Sequence, residues 1–225
     1  MASSSSVSIF DNDRFKTAFN EDLYNIIMKN KKVIAECCID LDEDEYPEVK
    51  EQISLRGWRR YSAPKQEISI DLIHEFYANA VVTEEEMEEA GGHTFRSFVR
   101  GVPVNFSPGN IQTVMRFRTQ VQGAATNFET RKESEIPVIR AILIHCIMRG
   151  EDVRAEDIIA DKIVRMEQGI KENGKLGFPS TIYKLCKEAR VPLREFRRTR
   201  KIQAEKPITA RRMESTRLPR PVQQR

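Results

Sequence analysis

Residues 67–80 read EISIDLIHEFYANA, and the spacing of their apolar side chains decides the fold class. Ile68, Leu72, Ile73, Phe76 and Tyr77 fall at i, i+4, i+5, i+8 and i+9, one stripe on a helix of about 3.6 residues per turn. Asp71, His74 and Glu75 fall off that stripe and read as its polar side. The same period governs most of what lies around this segment. Upstream, Phe15, Phe19, Leu23, Ile26, Ile27, Val33, Ile34 and Cys37 predict helix from Asp13 to about Cys38, broken near Asn30. An acidic loop, 40–51, ends it, and Pro47 to Ile53 has room for a turn of helix. Trp58 and Tyr61 then read as partly buried anchors beside Arg59 and Arg60.

Downstream, a second acidic loop at 84–92 gives way to a different pattern. Phe95, Phe98, Val99, Val102, Val104 and Phe106 are β-formers flanking Arg100-Gly101, which predicts a short hairpin over 94–106 with Pro103 on an edge. Ser107 and Pro108 give an N-cap and a proline at the first helical position. A polar stretch, 118–135, reads as a linker. Pro137 opens an apolar helix over 138–149 that includes Ile142 and is closed by Gly150; it is expected to be the centre of the core. Helices over 155–168 and from Pro179 to about Ala189 follow, joined through a turn at Asn173-Gly174. The expected fold is mainly α, about six helices with one hairpin. It occupies 13–192 between a Ser-rich disordered leader, 1–12, and a basic disordered tail, 193–225.

Composition narrows the class further. Of 225 residues, 40% are hydrophobic and 32% charged, a profile with modest core-forming capacity. The longest apolar run, 141–148, is far short of a membrane span and contains His145. Met1 to Ser6 carry neither a basic nor an apolar region, so no secretory peptide is expected. Four cysteines, two of them adjacent at 37 and 38, do not make a disulfide scaffold, which points to a reducing, intracellular compartment.

Charge is unevenly spread. Residues 191–225 hold 11 Lys or Arg against 3 Asp or Glu, while 1–190 hold 26 against 31. The net +3 therefore hides an acidic body and a strongly basic end. Arg194, Arg197, Arg198, Arg200 and Lys201 cluster there, with Arg211 and Arg212 beyond. Such a cluster neutralises phosphates without reading bases, or serves as a nuclear import signal. Only Phe196 interleaves it, so a stacking platform is not expected.

Little else carries chemistry. His145 and Cys146 are neighbours on one helix and point apart, and no CxxC or HxxxH spacing occurs, so no metal site is expected. No glycine pattern matches a phosphate loop, and no cofactor or small-molecule substrate is indicated. A thiol nucleophile would pair Cys186 or Cys146 with His145; the plainer reading makes the cysteines small core residues. Asp71 with Glu75, and Asp152 with Glu156 and Asp157, read as solvated helix faces and first-turn acids.

Four motifs in order resemble the plant transposon protein domain, a family from plant genomes associated with retroelement-derived genes. They are Arg56-Gly57-Trp58 with Pro64 and Glu75-Phe76-Tyr77-Ala78-Asn79; Phe98-Val99-Arg100-Gly101 with Val104, Phe106, Ser107 and Ile111; Ile136-Pro137 before the apolar helix; and Gly177-Phe178-Pro179-Ser180 with Ile182, Leu185-Cys186, Ala189 and Val191-Pro192. The resemblance spans roughly residues 50–192. It implies a plant, retroelement-derived origin and brings no catalytic residue with it. Trp58, Phe76, Tyr77, Phe98, Ile142, Phe178, Leu185 and Cys186 are the expected structural anchors. The chain departs from the family between Ile111 and Pro137, where only about twenty polar residues stand and no tryptophan, and Pro137-Val138-Ile139-Arg140 replaces Pro-Thr-x-His. A shortened linker would leave the 138–149 helix exposed and self-associating. The expected role is a non-enzymatic structural or interaction domain touching nucleic acid through its basic end. The alternatives are a degenerate genomic remnant and a thiol-dependent hydrolase.

Overall fold

A computed structural model of the chain describes residues 10–36, 38–40, 46–64, 67–83, 88, 94–118, 153–168, 174–196, 200–203 and 209. Among these the fold is mainly α-helical with small β elements, as the apolar periods predict. Helix α1 (Ala18–Ile26) and a 3-10 turn (Met28–Asn30) lead into strand β1 (Lys32–Val33). Then come α2 (Pro47–Leu55), α3 (Arg59–Ser62), β2 (Glu67–Ser69) and α4 (Ile70–Ala80). Strands β3 (Arg96–Val99) and β4 (Val102–Asn105) form the expected hairpin ahead of α5 (Pro108–Met115). The C-terminal part holds α6 (Ala155–Gln168), β5 (Lys175–Leu176), α7 (Pro179–Glu188), a 3-10 turn (Leu193–Phe196) and β6 (Lys201–Gln203).

Helix α4 is the centre of the described core. Ser69 starts it, its hydroxyl accepting the Leu72 N–H at 3.3 Å. Every residue from Leu72 to Ala80 is buried, because α1, β3, α6 and α7 pack around it. Phe76 meets Tyr77 and Phe106 edge-on, with ring centroids 5.6 and 5.5 Å apart. The side read as polar is therefore inside. His74 reaches the Lys31 carbonyl at 2.9 Å; a carbonyl only accepts, so Nε2 carries the proton. Asn79 donates to the carbonyls of Arg14 and Phe98 and accepts from the Lys16 N–H. Asn20 of α1 donates to the Ala78 and Val81 carbonyls, satisfying the end of α4. The segment 138–149, expected as a helix with Ile142 in it, lies outside the described residues.

Two strand pairings tie distant segments together. β1 runs parallel to β5, Lys32 opposite Lys175 and Val33 opposite Leu176. Helix was expected through Val33, and the β-branched residue is instead taken by a tertiary partner. β2 runs antiparallel to β6, with Ile68 opposite Ile202, so helix begins at Ile70 and not at Glu67. This pairing also moves the boundary of the basic end. The segment from Leu193 to Phe196 and the strand Lys201–Gln203 are parts of the fold, with Phe196 and Ile202 buried. Two apolar residues in a basic sequence are enough to seat it. Residues 1–9, 197–199, 204–208 and 210–225 of the expected leader and tail lie outside the described set, Arg197, Arg198, Arg211 and Arg212 among them.

The hairpin turns at Arg100 and Gly101, both left-handed (φ +49° and +76°), the requirement of a two-residue type I′ turn. Ser97 and Val99 face inward, leaving Phe98 half-buried on the outer side opposite Pro103. Ser107 stands before α5 without a side-chain cap, and Pro108 occupies the first turn. Trp58 and Phe178 are half-buried, while Leu185 and Cys186 are fully buried in α7. No described helix is long and apolar enough to cross a membrane.

Candidate functional site

The folded basic segment closes one side of a cleft of about 250 Å³. Tyr183 of α7 forms a wall, and Leu72, Leu193 and Phe196 supply apolar surface. Arg194 and Lys201 bring two cations to its lining, while Glu67 and Ser69 of β2 bring polar groups from the other side. The ladder between β2 and β6 fixes this arrangement, since Ser69 stands opposite Lys201 and the Ile70 N–H donates to the Arg200 carbonyl at 2.9 Å. Lys201 is further held by its ammonium, which donates to the Phe196 carbonyl at 2.7 Å. Arg194 and Arg200 are exposed. Phe196 is 2% exposed and has the Arg100 guanidinium 4.8 Å from its ring centroid, a cation–π contact that anchors the segment.

Arg100 links the cleft to a buried carboxylate. Its Nε lies 3.3 Å from Glu75 Oε2, and its backbone N–H donates to Glu75 Oε1 at 2.9 Å. Arg14 approaches Oε2 from the other side at 3.1 Å. Glu75, expected on a solvated face, is fully buried and joins the N-terminal segment, the hairpin turn and, through Arg100 and Phe196, the basic segment. Asp71 remains half-exposed, so the two acids do not form a pair in a cleft.

A second carboxylate works locally. Glu36 accepts the Ser180 N–H at 2.9 Å, the Thr181 N–H at 3.0 Å and the Thr181 hydroxyl at 3.3 Å, capping α7 from a distant part of the chain. Burial pushes its pKa above the usual 4.5, against the pull of those donors. Burial likewise raises Glu75, offset in part by Arg100 and Arg14. A carboxyl raised on folding stabilises most below its unfolded value, and that contribution is lost as pH climbs through the folded value. The stability advantage of the native chain over Glu36→Gln is therefore expected to shrink as pH rises from the ordinary carboxylate value of 4.5 through the higher value of the folded state. Urea midpoints of both proteins across that range check it, and an advantage that widens with pH would contradict it.

Cys186 is fully buried, and desolvation pushes its thiol pKa far up, which keeps it protonated and unreactive. His145 and Cys146 lie outside the described residues. Glu156 and Asp157 open α6, where Arg154 lies 3.6 Å from Glu156 and 3.0 Å from Asp157, consistent with first-turn acids. Among the described residues no group of three His, Cys, Asp or Glu is placed to hold a metal ion. A smaller cleft of about 160 Å³ beside α6, bounded by Trp58, Tyr61 and Phe178 with Ile158 and Ile159, is mostly apolar and holds no charged side chain.

Sequence reasoning found Arg194 and Lys201 and missed the rest of the cleft. Tyr183 falls inside the helix expected from Pro179 to about Ala189 and Glu67 opens the helix expected over 67–80, so neither stands out as a site residue in the sequence. The one available signal was Ile202, an isolated β-branched residue after four cations, which marks a strand seeking a partner. No family model, curated protein or solved structure matches the chain.

Proposed function

We propose that the chain is a non-enzymatic interaction domain of a retroelement-derived plant protein, which contacts nucleic acid without sequence preference through its basic segment. The observation that carries the reading is the seating of that segment by β2–β6 pairing, with Arg194 and Lys201 at one cleft and Arg200 exposed beside them. A cation held by the fold loses less freedom on meeting a phosphate than one on a loose tail. Arg197, Arg198, Arg211 and Arg212 extend the same basic sequence and belong to the proposal, as does import into the nucleus. The plant and retroelement origin rests on the four motifs, three of which hold left-handed backbone positions: Gly57 at φ +69°, Arg100-Gly101 in the hairpin turn, and Phe178 at φ +53°. A thiol hydrolase lacks comparable support, given the buried and protonated Cys186.

The test is binding of full-length protein to labelled nucleic acid over a salt series. Affinity is expected to fall steeply with salt, and Arg194→Ala with Arg200→Ala to reduce the logarithmic slope by roughly 2. Both residues are exposed, so the fold is spared. Unchanged affinity and slope in the double variant would overturn the reading.

A further inference from the structure

We infer that the cleft between β2, α7 and the basic segment takes one unstacked nucleobase, so that the ligand is a single strand and not a duplex. This rests on the nucleic-acid reading above and specifies its ligand. A surface that only neutralised phosphates would be convex or flat and uniformly cationic. Here the cations stand at a concavity whose other walls combine the Tyr183 ring and aliphatic side chains with the polar Glu67 and Ser69.

Three features favour a base. At about 250 Å³ the cleft is a little smaller than the pockets of drug-sized ligands, which start at roughly 300 Å³, and it suits one planar heterocycle. Tyr183 is half-buried and lines the opening, an aromatic surface on which any base can lie, whereas Phe196 is covered by Arg100 and serves as floor. Glu67, an exposed carboxylate at the same cleft, is a poor neighbour for phosphate but accepts hydrogen bonds from the amino and imino groups of a base edge. Glu67 also disfavours an acidic peptide at this position. With a base between Tyr183 and Glu67, Arg194 and Lys201 stand where the flanking phosphates run. Bases in a duplex are stacked and paired and cannot enter.

The experiment uses full-length protein and a mixed-sequence single strand of about 12 nucleotides, alone and as its duplex, read by fluorescence anisotropy. The single strand is expected to bind at least ~10-fold more tightly than the duplex. Tyr183→Phe keeps the ring and should change affinity less than about 2-fold, while Tyr183→Leu should cost the single strand roughly 10-fold and leave the duplex unaffected. Glu67→Gln supplies a test by sign, on an exposed residue that does not endanger folding. Removing the charge tightens binding if the cleft holds only phosphate, and weakens it if the carboxylate receives a base edge. Tightened or unchanged binding in Glu67→Gln, or a duplex bound as well as the single strand, would overturn the inference. The broader reading would survive that result provided the arginine and salt dependence remained. Absence of binding to either ligand would overturn both.

Discussion

Replacing Glu75 with glutamine is expected to lower the unfolding free energy by about 3 kcal/mol, the low end for breaking a buried ion pair from one side. The carboxylate is fully buried and is shared by Arg14 and Arg100. Glutamine keeps one oxygen for the Arg100 N–H but turns an amide NH₂ toward two guanidinium groups, donor against donor. The loss stays at the low end because both arginine side chains retain about a quarter of their exposure, 25% and 23%, and water can screen them. The effect should spread beyond the site, since Arg100 also holds Phe196 and Arg14 lies over Phe15 and Tyr24. Urea unfolding at neutral pH measures it. A loss below about 1 kcal/mol would mean that the three charges are worth no more than an exposed pair.

Gly57→Ala should be nearly as costly, again about 3 kcal/mol, for a reason of backbone geometry. Gly57 follows α2 in a Schellman motif: its N–H donates to the Ser54 carbonyl and the Trp58 N–H to the Ile53 carbonyl. Its φ of +69° alone costs an alanine about 1 kcal/mol. The added Cβ would also stand 2.4 Å from the Arg116 carbonyl oxygen and 3.1 Å from the Arg118 nitrogen. These are backbone atoms and cannot rotate aside, and the Arg118 N–H to Arg56 carbonyl bond lies in the path. Opening that junction loses a hydrogen bond and some packing, about 2 kcal/mol more. Gly109→Ala is the matched control. That glycine sits in the first turn of α5 with nothing near its missing Cβ, so alanine there should be neutral or stabilising by up to ~1 kcal/mol. Equal thermal midpoints for the two variants would contradict the account.

The contrast between these sites shows where sequence reading succeeds. The stripe from Leu72 to Tyr77 was legible because periodicity is a local property, and so were the hairpin around Arg100-Gly101 and the limits of α6 and α7. The burial of His74 and Glu75 was not legible, because their partners are Lys31, Arg14 and Arg100, and no local pattern announces a distant guanidinium. Val33 was assigned to helix for the same reason: two residues of strand exist only through Leu176 and its neighbour. The cleft was half legible. Basic composition marked Arg194 and Lys201, but composition also obscured Phe196 and Ile202, whose burial turns a tail into a wall. Tyr183 and Glu67 gain meaning only from the pairing of β2 with β6.

That pairing has a consequence for biosynthesis. β2 and its partner strand are separated by roughly 130 residues, and β1 and β5 by roughly 140. Ribosomes add about 5–20 residues per second, so the strand at 67–69 emerges on the order of ten seconds before the strand that completes it. During that interval α4 can form its hydrogen bonds locally, yet its apolar side must wait for α6, α7 and the basic segment. The nascent chain therefore carries an open strand edge and an uncovered helix face through most of its translation. A product released short of residue 200 would lack the partner strand of β2 and is expected to be cut by added protease faster than the full-length chain.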